Sequence, residues 1–251
     1  LQNGLTQHQY HQNNMGAFGG PDIITDGLLF AIDAGSERSY PGTGTTTTSL
    51  VGAAQTGTLI NGVGFDSANG GTWEFDGTDD YLNTTSQAYP VDGTDPFTIE
   101  VWIMIPTGAT WYNSGNGTSI IGRGNYGGSI GILRRGTDSI AVWLRMNGGN
   151  IYDPAVSGLQ RDVFHQIIGT FNGVDTMKCY HNGAYNSQEI NSNNAGTVDG
   201  GGFRLGGNVA FGGNNGGYGE GSIPLARLYN RALSAAEVLQ NFNAQKSRFG
   251  L

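Results

Sequence analysis

Beyond Asp22 the apolar residues of this chain come in short runs, punctuated by glycine, asparagine and threonine. The run Phe97-Thr98-Ile99-Glu100-Val101-Trp102-Ile103-Met104-Ile105 is the clearest of them. Its odd positions are all apolar, the two-residue period of a strand with one face on a core. The same criterion predicts strands at 27–34, 58–60, 71–77, 80–83, 119–122, 129–133, 139–146, 164–171, 176–181, 203–206 and 223–229, with a Pro/Gly/Thr loop at 40–48. Asn61-Gly62 and Asn182-Gly183 stand between such runs, as two-residue hairpin turns require. Many short strands with no helical period among them predict an all-β fold, two antiparallel sheets packed as a sandwich.

One helix is expected near the end. Ser234 precedes Glu237 by three residues, the spacing of a reciprocal cap, with Leu233 and Val238 placed as a hydrophobic staple. Ala235, Val238, Leu239 and Phe242 then form one apolar stripe at helical spacing. Residues 1–21 are polar and carry no apolar period, so they read as an extended N-terminal arm ordered only by a partner, ahead of a single domain over 22–251. His8 and His11 in that arm lack the helix and carboxylate that a metal site would need.

Composition sharpens this picture. The 44 glycines act as turn punctuation, and charged residues make up 13 % of the chain, against ~25 % in an average soluble domain. A net charge of −8, with 12 Lys and Arg scattered apart from Arg134-Arg135, excludes a basic nucleic-acid surface. No apolar stretch reaches the length of a membrane-spanning helix, so membrane insertion is not expected. Cys179 is the sole cysteine, which rules out an intrachain disulfide and reads as a packed residue.

Four blocks, in this order, resemble the laminin-G-like family of the concanavalin A-like lectin/glucanase jelly rolls. They are Ile24-Thr25-Asp26-Gly27-Leu28 through Ile32-Asp33-Ala34, with Ser39-Tyr40-Pro41-Gly42 after it; Phe75-Asp76-Gly77-Thr78-Asp79-Asp80-Tyr81-Leu82; Phe97-Thr98-Ile99-Glu100-Val101-Trp102; and Leu228-Tyr229-Asn230-Arg231-Ala232-Leu233-Ser234 with Glu237. The resemblance implies a jelly-roll sandwich from about Asp22 to the C-terminus. Phe75 and Tyr81 would bracket a corner where the chain changes sheet, and Asp76 would bond its own turn. Phe164-His165 departs from the family's usual Trp at that strand start. Pro224-Leu225-Ala226 stands where an acidic pair is often found, which weakens the case for the calcium that some members bind near that edge.

Candidate chemistry is sparse. Glycoside hydrolysis on this fold needs carboxylates alternating along one strand. Glu74 and Asp76 approach that pattern, but Gly77 ends the strand before Asp79, and Glu100 has no acidic neighbour at strand spacing, so it reads as a sheet-face residue. The chain is therefore not expected to be an enzyme. Calcium is the candidate cofactor, with the turn carboxylates Asp79 and Asp80 as its candidate ligands. Sugar recognition needs aromatic platforms with amides beside them, and Trp111, Tyr112, Asn113, Tyr126, Tyr152 and Tyr218 are the candidates in loops.

The expected function is non-enzymatic. The closing block also resembles stand-alone laminin-G-like proteins of marine tailed bacteriophages, which implies a structural, decoration or appendage protein on a virion surface. Its partners would be other virion proteins, further copies of itself and a surface glycan. In that reading the arm and Phe249-Gly250-Leu251 are the docking elements. The alternative is a secreted, extracellular carbohydrate-binding module.

Overall fold

In a computed structural model, the residues described are 21–52, 55–85, 95–109, 117–124, 128–146, 151–191, 197–198, 201–207, 209 and 217–251. They form two stacked antiparallel sheets and one C-terminal helix. The first sheet contains β1 (Leu28–Asp33), β4 (Gly64–Asp66), β5 (Thr72–Asp76), β7 (Phe97–Met104), β13 (Phe164–Phe171), β14 (Thr176–His181), β15 (Ala184–Ile190), β17 (Glu220–Ile223) and β18 (Leu225–Tyr229). The second contains β2 (Thr46–Thr48), β3 (Thr56–Ile60), β6 (Tyr81–Thr84), β8 (Thr118–Gly124), β9 (Ser129–Gly136), β10 (Ser139–Arg145), β11 (Ile151–Tyr152), β12 (Ala155–Ser157) and β16 (Arg204–Leu205). The expected sandwich is what these residues build. Of the expected arm, all but Pro21 lies outside the described residues.

Alternation along β7 sets the layers. Phe97, Ile99, Val101 and Ile103, with Ile105 beyond the strand, point into the main core between the sheets. Thr98, Glu100, Trp102 and Met104 point the other way, yet the first three are also buried. The helix α1 (Ala235–Gln245) and the turn after it cover that outer face. Trp102 therefore packs outside the sandwich, stacked on Phe242 at 5.8 Å and against Phe249 at 4.4 Å.

Phe249 is consequently a buried anchor of its own chain, which removes it as a docking element for a partner. The expected helix stripe is also altered. Val238 and Asn241 are buried, whereas Leu239 is half exposed, so a polar residue takes the place in the packed face that Leu239 was expected to hold.

The capping box forms as predicted, with Ser234 and Glu237 each accepting from the other's backbone N–H. Asn61 and Gly62 both have positive φ, as do Asn182 and Gly183, the geometry a two-residue turn demands. The run 223–229 splits at Pro224, which has no N–H to give a ladder, so β17 pairs with β5 and β18 with β1. The segment 40–48 is not all loop, because Thr46–Thr48 pairs with β3. β15 runs on to Ile190 as an exposed edge strand whose polar sequence gave no alternation signal.

Candidate functional site

Two neighbouring features lie where strands of the first sheet end and the β9–β10 hairpin turns. The first is an open cleft of about 480 Å³ lined by Gly108, Ala109, Thr118, Arg134, Arg135 and Arg161, among others. Arg161 spans it. Its guanidinium donates to Asp138 Oδ1 at 2.7 Å, to the Thr137 carbonyl and, at 3.5 Å, to the Pro106 carbonyl. Arg134 folds onto its own hairpin, donating to the carbonyls of Gly136 (2.7 Å) and Thr137 (2.6 Å). Arg135 pairs with Asp153 and lies 5.1 Å above the Trp143 ring. The next residue along from Arg161, Asp162, accepts from the Thr107 N–H and hydroxyl, fixing the loop that leaves β7. Those hydrogen bonds hold the Asp162 carboxyl below the usual carboxylate range.

Positive charge is concentrated here in a chain that is otherwise acidic. Burial, and then the like charge of Arg161, pull the Arg134 guanidinium down to about 10. It stays protonated at neutral pH, held beside a second cation that it would not choose. Asp138, paired with Arg161 at 2.7 Å, already offsets part of that repulsion.

The second feature is acidic. The chain crosses from β5 in one sheet to β6 in the other through Gly77 (φ 75°), with Asp76 Oδ1 accepting from the Thr78 N–H at 2.8 Å. Phe75 and Tyr81 bracket this crossover as the resemblance implied. Asp76, Asp79 and Asp80 bring carboxylate oxygens within 4.8 Å of one another. Asp76 and Asp79 are exposed, while Asp80 is 4 % exposed. Burial, then the charges of Asp76 and Asp79, push the Asp80 carboxyl up, against the backbone N–H of Asp76. Asp76 and Asp80 line a hollow with Asn61, Gly62, Glu74 and Glu220. Pro106 lines the same hollow, so it stands between the acidic corner and Arg161.

The expected aromatic platforms are not brought together among the described residues. Tyr152 is a core residue: its ring is fully buried edge-on against Phe171 and its hydroxyl donates to the Asn191 carbonyl, so it cannot face a sugar. Tyr218 is half-buried beside Tyr81, 6.3 Å between ring centres, away from the cleft lining. Trp111, Tyr112, Asn113 and Tyr126 lie outside the described residues, although Ala109 and Gly117, which flank the stretch with Trp111, both line the cleft.

Arg161 was missed by sequence reasoning, because nothing in the sequence near it marks a site. Arg134-Arg135, the one adjacent basic pair in the chain, was the available signal. Of the carboxylates considered for hydrolysis, Glu74 accepts from Thr72 (2.5 Å) and Ser222 (2.6 Å), and Glu100 is buried beneath α1. Cys179 is buried in the core, where desolvation pushes its thiol up to about 12.

Solved structures with this architecture include the botulinum neurotoxin serotype D binding domain (TM-score 0.67, 13 % identity). That match covers 88 % of this chain and 53 % of the other. The binding domain of Paraclostridial Mosquitocidal Protein 1 is similar (TM-score 0.64, 15 % identity), covering 87 % and 52 %. So is the serotype D ligand binding domain in complex with N-acetylneuraminic acid (TM-score 0.66, 15 % identity), covering 88 % and 52 %. The chain thus spans about half the length of each, and at these identities the likeness is one of fold. No curated protein matches the sequence. None of these structures is a virion protein, so the expected virion role gains no support from them. Residues 76–239 match the family model Laminin_G_3, and with most of its length inside that match the chain belongs to the concanavalin A-like lectin/glucanases superfamily.

Proposed function

We propose that this protein is a secreted, non-catalytic carbohydrate-binding module whose site is the arginine-lined cleft, with a preference for sugars that carry a carboxylate. The observation that carries the reading is the cleft itself. Its volume falls in the ~300–1,000 Å³ range of small-ligand sites, and its described lining sets backbone, hydroxyl and guanidinium groups beside a nearly equal share of apolar surface. Such a lining suits a ligand rich in hydroxyls. Planar guanidinium groups suit carboxylates, which they engage by paired, charge-assisted hydrogen bonds. The fold likeness to a ligand binding domain solved with N-acetylneuraminic acid is consistent with this reading, without carrying it. A catalytic role is disfavoured, since Glu74 is held by two hydroxyl groups and Glu100 is shut beneath the helix.

The test is retention on immobilised glycans, comparing sialylated and uronic-acid sugars with their neutral counterparts. Arg161→Gln is expected to weaken acidic-sugar binding by about tenfold, the loss of one charge-assisted contact. Trp111→Ala tests the adjoining segment in parallel. A folded wild-type protein that retains no glycan, or equal retention by wild type and Arg161→Gln, would refute the assignment.

A further inference from the structure

We infer that Asp138 sets the anion selectivity of the arginine-lined cleft. It holds the edge of Arg161 that an acidic ligand would grip, so the site rejects simple carboxylates and admits one only when a bound sugar presents it. The inference rests on the glycan reading and adds to it a selectivity residue that stands outside the cleft lining. A guanidinium grips a carboxylate through two parallel N–H groups, and its Nε/Nη2 edge is one that offers such a pair. In Arg161 that edge is taken. Nε donates to Asp138 Oδ1 at 2.7 Å, and Nη2 donates to the Thr137 carbonyl. One carboxylate oxygen and one carbonyl oxygen, from adjacent residues, thus stand where the two oxygens of a ligand carboxylate would go.

Thr137 and Asp138 form the turn between β9 and β10, and the fold fixes that turn against Arg161. The Asp138 carbonyl accepts from the Leu159 N–H at 3.2 Å, two residues before the arginine. The Thr137 carbonyl also accepts from Arg134 at 2.6 Å, so two cations converge on one oxygen. Of the acceptors that the turn gives these two arginines, only Asp138 carries charge. Its charge also raises the Arg134 guanidinium, against burial and the like charge of Arg161.

An aspartate in a turn needs no function to be there. Two observations give this one more than a local role. It sits on the paired edge of the guanidinium, whereas the Nη1 contact to the Pro106 carbonyl is long, at 3.5 Å. The Asp138 side chain is also 46 % exposed against 20 % for Arg161, so the carboxylate is free to swing into water while the guanidinium stays in the cleft. An exposed pair of this kind is weak. A ligand that gains further contacts in the cleft displaces Asp138, but a simple anion merely exchanges one carboxylate for another and gives up the tether. Selectivity of this kind opposes the wrong ligand instead of improving the right one.

The experiment compares the full chain as wild type, Asp138→Asn and Asp138→Glu. Each is titrated by calorimetry with N-acetylneuraminic acid, glucuronic acid and neutral glucose, with sodium acetate as the simple carboxylate at constant ionic strength. Asp138→Asn keeps the size of the side chain and removes its charge, and because the pair is exposed its Tm should stay within about 2 °C of wild type. That variant should bind both acidic sugars about fivefold more tightly, with glucose unchanged. Acetate should compete with the acidic sugars in Asp138→Asn and not in wild type. Asp138→Glu restores a carboxylate and should return both properties to those of wild type. Acidic-sugar binding that is the same in wild type and Asp138→Asn, with acetate ineffective in both, would overturn the selectivity role and leave the glycan reading standing. A lowered Tm in Asp138→Asn without any change in selectivity would likewise reduce Asp138 to a staple of the turn. A folded wild type and folded variants that bind none of the sugars would overturn both, so the two failures are distinguishable.

Discussion

Glu100 is a side chain with no solvent around it, and three side chains from three elements bond it. Its Oε1 accepts from Arg227 Nη1 at 3.0 Å and Gln166 Nε2 at 2.8 Å, and its Oε2 from Asn241 Nδ2 at 3.0 Å. Asn241 passes the network on, donating to the Tyr229 hydroxyl and accepting the Ile24 N–H. A buried pair of this kind adds little net stability, but removing one member strands the other. Arg227→Met is therefore expected to cost about 3–5 kcal/mol in urea unfolding, and the double variant Glu100→Gln/Arg227→Met clearly less. Equal losses in the single and double variants would mean that the charge pairing is irrelevant. The sequence placed Glu100 on a sheet face and that is where it is. Its burial was not legible, because the alternation of β7 marks which face a residue takes and not whether a helix covers that face.

Neighbouring strands can share a titration, and β13 with β14 does so through two histidines. His165 Nδ1 lies 2.9 Å from His181 Nε2, and His165 Nε2 lies 2.9 Å from the Gln160 carbonyl. A carbonyl only accepts, so the network assigns the His165 proton to Nε2 and leaves its Nδ1 to accept from His181. Adding a proton to His165 would set two N–H groups facing each other. Burial, then the neighbouring His165, pulls His181 down to about 4, and burial lowers His165 as well. With folded values below the unfolded one, the unfolded chain binds more protons. Stability is thus full above pH ~6.5 and is lost as pH falls toward 4. His165 is buried and His181 half-buried; allowing for solvent screening at His181, the loss should be of order 1 kcal/mol. His181→Gln, which keeps a donor for His165, should flatten the difference between unfolding at pH 7 and pH 4.5. An unchanged pH slope in that variant would dismiss the pair as its source. This device was hidden in the sequence because its members stand 16 residues apart, joined only by the register that pairs Ile167 with His181. The hairpin itself was readable from Asn182-Gly183, since its turn chemistry is local.

At the scale of the whole molecule, the residues after the helix decide how the outer layer is fastened to the sandwich. Arg248 binds both oxygens of Asp33 (2.8 and 2.9 Å) and the carbonyls of Asn69 and Gly71, fastening the end of β1 to the connection between β4 and β5. Phe249 follows it into a pocket between Trp102 and Phe164, 4.4 and 4.7 Å from their ring centres. Strand alternation and the capping box made the sandwich and the helix legible, whereas a two-residue clasp has no period and was read as an outward-facing tail. The candidate site was less legible still, since Arg134 and Arg135 sit together on β9 whereas Arg161 precedes β13, and only the closed fold brings it to the same cleft. If the clasp is what holds the outer layer down, Phe249→Ala must open a cavity beside Trp102. The expected cost is about 3 kcal/mol, or roughly 6–12 °C in Tm for a chain of this size. Glycan retention at 20 °C should survive, because the cleft draws none of its described lining from this region. A Tm within a degree of wild type would show instead that Trp102 and Phe164 close over the gap, and that the helix is held by Val238 and the Glu100 network alone.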